Sequence, residues 1–576
     1  MSKLRENAIL NQKYNKFAKI QETKDKQNIK KQNQNNFVGD ICLEIENWKL
    51  EINKIMYRPI IVAVLDGWGI SNNSKGNVLK ETSLPTIEKL DHFYPMTTLQ
   101  ASGISVGLFW GESGNSEVGH MALGAGKIVY QNLPRITLAI QDHTFFQNEA
   151  LSKVMAETKE KDSSLHLMGL IGQGSVHSYM EHLFAILEMA KEKGLTKVYI
   201  HGFTDGRDSP QTSGTKTIQE LQNHLKSIGV GKIATLSGRN WGMDRNNNWD
   251  RVEKAYRLMT EGKGTPATDA MKCLQDSYAT EITDEYIEPV VLMEDGKPVA
   301  TVQNGDSVIF FNFREDRARE ITKAFVLPSF DGFKRERLDI NFVTLVEYEK
   351  DLPVDIAFPP IVLDGGLGEI LSNNKLKQLR IAETEKYAHV TYFFNGGKEE
   401  PWPGEDRILI PSPSVSKFDE APEMSANLIT EKILEVLEEE KYDFILVNYA
   451  NADMVGHTGN PEACIVAVQT IDRQLAQLIP AVFKKGGCLF ITADHGNVED
   501  IKNYRTGEVD TEHSSNPVPL WFITADNHRE KKSEEIAHQQ SEVGGLLSDI
   551  APTVLDLLGI QKPADMNGES LLPLLK

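Results

Sequence analysis

Only four cysteines serve 576 residues, and Cys42, Cys273, Cys464 and Cys488 form no C-x-x-C pair. That pattern excludes a disulfide framework and a thiolate metal site, and it suits a reducing compartment. No apolar run reaches the eighteen or so residues that a membrane span requires, and the first residues lack the apolar core of a signal peptide. Positive charge is outnumbered: 62 Lys and Arg face 82 Asp and Glu, a formal net charge of −20. Such a chain has no general footprint for nucleic acid or an anionic membrane, so any anionic ligand must meet a local basic cluster. Two nucleotide motifs are also lacking. The segment 124-GAGKI-128 does not have P-loop spacing, and 172-GQGSVH-177 has no third glycine of the dinucleotide fingerprint. The expectation is a soluble, cytoplasmic protein with no nucleic-acid or membrane partner.

The length and 40% hydrophobic content support two domains or three. Residues 1–57 stand apart. KDKQNIKKQNQNNF is low in complexity and poor in apolar residues, which predicts a disordered extension, with 48-WKLEINKIM-56 as a short helix. A transit peptide would be rich in arginine and short of acids, whereas this segment holds Arg5 alone and seven acidic residues. Met56 directly precedes the first strong strand, so the segment reads as an upstream addition to a chain that starts there. From Tyr57 on, short apolar runs alternate with helical patterns, the signature of strands and helices in a mostly parallel, buried sheet. Three such runs lie in the outer parts of the chain, 60–66, 444–453 and 488–496, and four between them, 165–172, 198–208, 233–240 and 308–316. All seven end in polar or charged residues. Ligands of open α/β sheets bind beyond the carboxyl ends of the strands.

The outer runs end in Asp66, in Asp453 with His457 at i, i+4, and in Asp494-His495; His513 follows in the loop 510-DTEHSSNPVP-519. Singly, an aspartate after a strand is more often a cap or turn residue. Parallel strands, however, deliver their ends to one edge, and carboxylates with imidazoles suit Mn²⁺ or Zn²⁺ better than Mg²⁺. More ligands are present than one ion needs, and two ions about 3.5–4 Å apart would clamp an in-line phosphoryl displacement. Such a centre needs a nucleophile. Ser116, in the glycine-rich stretch 111-GESGNSEVGHMALGAGK-127, is the candidate; alone it would read as a turn residue.

The middle runs end differently: His177, then Arg207 and Asp208 in 205-DGRDSP-210, Arg239 and Arg245 in 237-SGRNWGMDR-245, and Arg314 and Arg317 in 312-NFREDR-317. Five arginines at strand ends of an acidic chain suggest a small, multiply anionic ligand held through bidentate guanidinium contacts. The plainer reading of 314-REDRARE-320 is a charged helix face. His177 and Asp208 are candidates for moving protons on substrate hydroxyls.

The segments VLDGWG, GNSEVGH, DGRD, SGR-x-x-x-MDR, FNFREDRARE, EKYAHVTYFFNGG, ANADMVGHTG, TADHGN and 549-DIAPTVLDLLGI-560 resemble, in order, the signatures of cofactor-independent phosphoglycerate mutases, in the alkaline phosphatase superfamily. The likeness runs from about residue 58 to the C-terminus. It implies interconversion of 3-phosphoglycerate and 2-phosphoglycerate through a phosphoserine enzyme and two divalent ions, manganese first and magnesium, cobalt or zinc as alternatives, without bisphosphoglycerate. It further implies that Ser116 is the nucleophile, that Asp453, His457 and His513 hold one ion, and that Asp66, Ser116, Asp494 and His495 hold the other. His177, Arg207, Asp208, Arg239, Arg245, Arg314, Arg317 and Lys386 would bind substrate, with Asp208 and Lys386 also catalytic. Lys386, in 385-EKYAHV-390, has no signal of its own and enters by the resemblance alone.

The fold implied is α/β with two domains: an alkaline-phosphatase-like, mostly parallel sheet flanked by helices, interrupted by an inserted α/β domain. The expected boundaries are 58–132 and 365–576 for the metal-binding domain and 133–364 for the substrate-binding insert, with hinges near 130–135 and 363–368. A monomer acting on a small phosphorylated substrate is expected. Two departures stand out: Tyr179 occupies a position where the family commonly has histidine, and Ser514-Ser515 follow His513 where threonines are usual. The alternatives are a metal-dependent phosphomonoesterase, a sugar-phosphate mutase of the same superfamily, or a non-catalytic relative.

Overall fold

A computed structural model describes residues 57–361, 363–502 and 506–575. The expected N-terminal extension, apart from Tyr57, lies outside them, as do the helix over 48–56 and Cys42.

Two sheets organise the chain. The first has eight strands in the order Glu405–Ile410, Gln378–Glu383, Phe444–Tyr449, Ile60–Leu65, Cys488–Thr492, Val518–Ile523, Met96–Gln100, Val543–Leu546. Its first five strands are mutually parallel, and Val518–Ile523 runs antiparallel to both its neighbours. Ile60–Leu65 sits between Phe444–Tyr449 and Cys488–Thr492, with Ile60 opposite Phe444 and Cys488. All six of its residues are buried, as a central strand covered on both faces requires.

The second sheet follows the path Asp355–Phe358, Asn341–Val346, Ser307–Phe310, Leu165–Ile171, Val198–Thr204, Lys232–Gly238, Val290–Glu294, Thr265–Ala267, with Lys297–Pro298 paired to Val290–Glu294. Here the first six strands are parallel. Its strands all fall in sequence between those of the first sheet, so the fold is the interrupted two-domain α/β architecture. All seven apolar runs read from the sequence form strands, and every one is parallel to its run-derived neighbours.

One local expectation changes. The stretch around Ser116 is not a loop: Ser116 is the first residue of the helix Ser116–Ala125, capped by the Asn115 side chain, which accepts from Val118 N at 3.1 Å. The helix Asn132–Gln141 begins within the segment 130–135 where a hinge is expected, with Pro134 in its first turn, where the missing N–H costs nothing.

Candidate active site

Four adjacent parallel strands of the first sheet deliver the chemistry to one edge. Past Glu383 comes Lys386, past Tyr449 Asp453, past Leu65 Asp66, and past Thr492 Asp494 and His495. The helix that starts at Ser116 lies against this edge so closely that a Cβ on Gly119 would stand 2.6 Å from Asp494 O. The glycines of GNSEVGH thus serve backbone contact between segments.

Ser116 Oγ is 2.9 Å from His495 Nε2, donates to Asp66 Oδ1 at 3.2 Å and accepts from Lys386 Nζ at 2.8 Å. Lys386 also donates to Asp66 Oδ1 at 2.7 Å and to Asp453 Oδ2 at 2.6 Å, joining all three groups. Burial alone would lower the pKa of this lysine, but Asp453, Asp66 and Asp494 outweigh it and hold the ammonium well above its usual range. His495 follows the same logic: against burial, Asp494, Asp66 and Asp453 push it up to about 9.

His457 Nδ1 lies 2.7 Å from Thr511 O and His513 Nδ1 lies 2.8 Å from Gly114 O, so each Nδ1 carries the proton and each Nε2 a lone pair. The two Nε2 atoms are 3.0 Å apart and lie 3.3 and 3.1 Å from Asp453 Oδ1. With both rings neutral, three acceptors facing one another at this range repel unless a proton or a metal cation stands among them. The hydrogen bond to Asp453, and then its charge, raise the pKa of His457 against burial, so that without a metal a proton is favoured in this place. Asp453, His457 and His513 therefore fit a divalent ion. On the other side, Asp66 and His495 group with Asp453, while Asp66 and Asp494 group with His120. Asp494 Oδ2 is buried and accepts no hydrogen bond, as a ligand oxygen held for an ion would be. His120 Nδ1 stands 3.1 Å from that oxygen but directs its hydrogen bond to Ser116 O at 2.9 Å. Neither His120 nor Asn448, which donates to Asp66 Oδ2 at 2.7 Å, was singled out from the sequence. The histidine of GNSEVGH was the one available signal.

The second sheet builds a complementary cluster. Arg239, 2% exposed, bonds Asp205 at 2.6 Å and contacts Asp208. Asp205 also accepts from the backbone of Arg207 and Asp208 and from Ser209 Oγ. Asp316 gathers Arg245 at 3.1 Å and Arg314 at 3.2 Å. Arg317 donates to Met243 O. Burial, and then the charges of Arg239, Arg245 and Arg207, lower its pKa, which places these cations in one neighbourhood. His177 lies 3.4 Å from Asp316 and 3.9 Å from Asp208. Burial and Arg239 nonetheless lower its pKa to about 4, so the ring is neutral near pH 7 and neither contact is an ion pair. Arg207 faces outward toward Glu285 at 3.5 Å. Asp205 and Asp316 are additions to the sequence-derived set. Tyr179 turns its ring to Phe109, 5.7 Å away, on the segment leading to Ser116.

The family model described as BPG-independent PGAM N-terminus matches residues 136–350. The 2,3-bisphosphoglycerate-independent phosphoglycerate mutase of Clostridium perfringens is 51% identical over 516 residues, covering 89% of this chain and 99% of the relative. That of Moorella thermoacetica is 49% identical over 517 residues, covering 89% and 98%. Among solved structures, the phosphoglycerate mutase of Leishmania mexicana at low cobalt concentration matches with a TM-score of 0.53 at 30% identity, covering 89% of this chain and 97% of that one.

Proposed function

The chain belongs to the 2,3-bisphosphoglycerate-independent phosphoglycerate mutases, isomerases of 3-phosphoglycerate and 2-phosphoglycerate, and on that premise we propose that it works through a phosphoserine at Ser116 and two divalent ions, Mn²⁺ first. The observation that carries this reading is the position of Ser116 Oγ at a helix N-terminus, within 3.2 Å of Asp66, His495 and Lys386. Asp453, His457 and His513 would hold one ion, and Asp66, Asp494 and His495 with Ser116 the other. The pair would lower the pKa of the serine hydroxyl and offset charge on the phosphoryl oxygens.

The chain's own residues supply the rest. Ser116 Oγ attacks phosphorus in line, the P–O bond to glycerate breaks, and the phosphoryl group rests on Ser116. There the N-terminal N–H groups of its helix and the Lys386 ammonium favour negative charge. Asp208 passes the proton that Ser116 gives up to the departing glycerate oxygen, and on return of the phosphoryl group takes the proton of the other hydroxyl, which goes back to Ser116. Between these steps Arg239, Arg245, Arg314 and Arg317 hold the glycerate carboxylate while the molecule turns, with Arg207 at the outer edge and neutral His177 as a hydrogen-bond partner. Holding glycerate and excluding water keeps the enzyme a mutase; release at this stage would make it a phosphatase. We take 58–132 and 365–576 as the ion-binding domain and 133–364 as the substrate-binding domain, in keeping with the strands of each sheet. A cytoplasmic monomer is part of the same reading.

The test is turnover with Mn²⁺ and no added bisphosphoglycerate, coupled to enolase, together with mass spectrometry of acid-quenched enzyme for one phosphoryl group on the Ser116 peptide. Ser116→Ala should lower kcat by on the order of 10⁴-fold or more and still bind Mn²⁺. Full activity of that variant would remove the phosphoserine route. Hydrolysis of simple phosphate esters without isomerisation would favour a phosphomonoesterase.

A further inference from the structure

Glu499 is a buried carboxylate, 1% exposed, that lies outside the proposed ligand and substrate sets. Its Oε2 accepts from Gly69 N at 3.0 Å and from Asn497 N at 2.8 Å. Its Oε1 accepts from Asn516 Nδ2 at 3.0 Å and from Ser514 Oγ in a short contact. None of these four partners is charged, and the two backbone N–H groups and the Asn516 amide nitrogen can only donate to it. Among the described residues no lysine or arginine is paired with it, and burying a carboxyl group in that way is costly unless its lone pairs are used; four donors meet that condition.

The four donors sit on three separate segments, each next to a proposed ion ligand. Gly69 follows Asp66 by three residues, Asn497 follows His495 by two, and Ser514 directly follows His513. The Asn497 side chain extends the network to Asp453 Oδ1 at 3.2 Å. Close approach is built in: a Cβ on Gly69 would stand 2.2 Å from Glu499 Oε1, so the glycine of DGWG is required by the carboxylate and not by the ions.

We propose that Glu499 is a positioning residue for the isomerase reaction, fixing the spacing between the two proposed ion sites by tying the Asp66, His495 and His513 segments to one carboxylate. The inference rests on the two-ion reading above. Either a serine or a threonine hydroxyl at position 514 can donate to Oε1.

Glu499→Gln tests it with little change of shape. The backbone donors of Gly69 and Asn497 cannot reverse, so the amide oxygen must face them and the NH₂ group must face Ser514 and Asn516. Both of those can reorient, so the protein folds while the His513 segment loses its charge-assisted anchors. Wild-type protein titrated with Mn²⁺ in a calorimeter should bind two ions. The Gln variant should lose about 10- to 100-fold in affinity at one of them and lose kcat, with KM little changed at saturating Mn²⁺. Ser514→Ala should weaken Mn²⁺ binding in the same direction by less, and Ser514→Thr should match wild type. Two ions bound with unchanged affinity by Glu499→Gln, with only thermal stability reduced, would overturn the positioning role and leave the two-ion reading standing. A wild-type protein that binds one ion or none would overturn the two-ion reading, and this inference with it. Should Glu499→Gln fail to fold, unchanged Mn²⁺ affinity in Ser514→Ala would overturn the proposal by itself.

Discussion

Glu383 ends the strand that leads to Lys386, and it offers a quantitative test of how burial governs charge in this fold. The residue is fully buried, accepts from Ser412 Oγ at 3.0 Å and more weakly from Ser425 N at 3.4 Å, and has no cation among these partners. Burial first, and Glu385 in addition, raise its pKa from 4.5 to about 7 against the two hydrogen bonds. The folded chain therefore holds a proton that the unfolded chain releases between these two values. Its contribution to stability is fully present below pH 4.5 and is lost as pH rises through about 7. At about 1.36 kcal/mol per pH unit, ionising Glu383 in the fold costs roughly 3 kcal/mol, an upper figure because the site can relax. Glu383→Gln keeps the shape, lets the amide oxygen accept from Ser425 N, and removes the ionisation. Urea unfolding of both proteins should give nearly equal stabilities at pH 5 and an advantage for the variant that grows to between about 1 and 3 kcal/mol at pH 8.5. A difference that stays flat across that range, or a variant less stable at high pH, would refute the reasoning.

Two further outcomes follow from the same geometry. Gly119→Ala should drive a methyl group into Asp494, destabilising the protein by about 1–3 kcal/mol and weakening Mn²⁺ binding, measured by thermal melting and by Mn²⁺ titration. Stripping divalent ions with a chelator should lower Tm and abolish turnover, and Mn²⁺ at 100 times its Kd should restore about 2.7 kcal/mol per site; a Tm indifferent to Mn²⁺ would count against the ion reading.

What could be read from the sequence depended on whether a residue's chemistry and its surroundings agreed. Ile60–Leu65, Phe444–Tyr449 and Cys488–Thr492 are apolar runs that stop at polar residues, so the strand and the end of the strand were both visible. Gln378–Glu383 is equally central but reads QLRIAE, because three of its buried side chains are polar. Arg380 is wholly enclosed, with one guanidinium nitrogen bonded to Gln378 at 2.6 Å and its plane over Phe394 and Phe444. Periodicity could not find that strand, and so could not find Lys386 beyond it. Asp205 and Asp316 looked like solvated acids among arginines, although they orient Arg239, Arg245 and Arg314. Glu499 was invisible for a different reason: its partners are mostly backbone N–H groups and small polar side chains brought together only by the fold.

Charge counting explains why two separate sheets are needed. Asp66, Asp453 and Asp494 are buried within a few ångströms of one another, and Lys386 is the one lysine or arginine bonded among them in the described residues. Even with His495 protonated, as a pKa of about 9 requires, the three carboxylates outnumber the two cations, a cost in low dielectric that two divalent ions would reverse. On the second sheet, Arg239, Arg245 and Arg314 bond Asp205, Asp208 and Asp316, Arg207 meets Glu285 and Arg317 donates to Met243 O; five arginines against four carboxylates leave a balance of +1 with His177 neutral. On the proposed reading, one edge would attract cations and then phosphate, and the other would attract carboxylate directly. Were the two sets merged on one sheet, the arginines would pair with the aspartates and leave neither ligand a place. Carrying them on separate sheets would keep the carboxylates available for the proposed ions and the guanidinium groups for substrate, with Lys386 the one lysine beside Ser116 among the described residues.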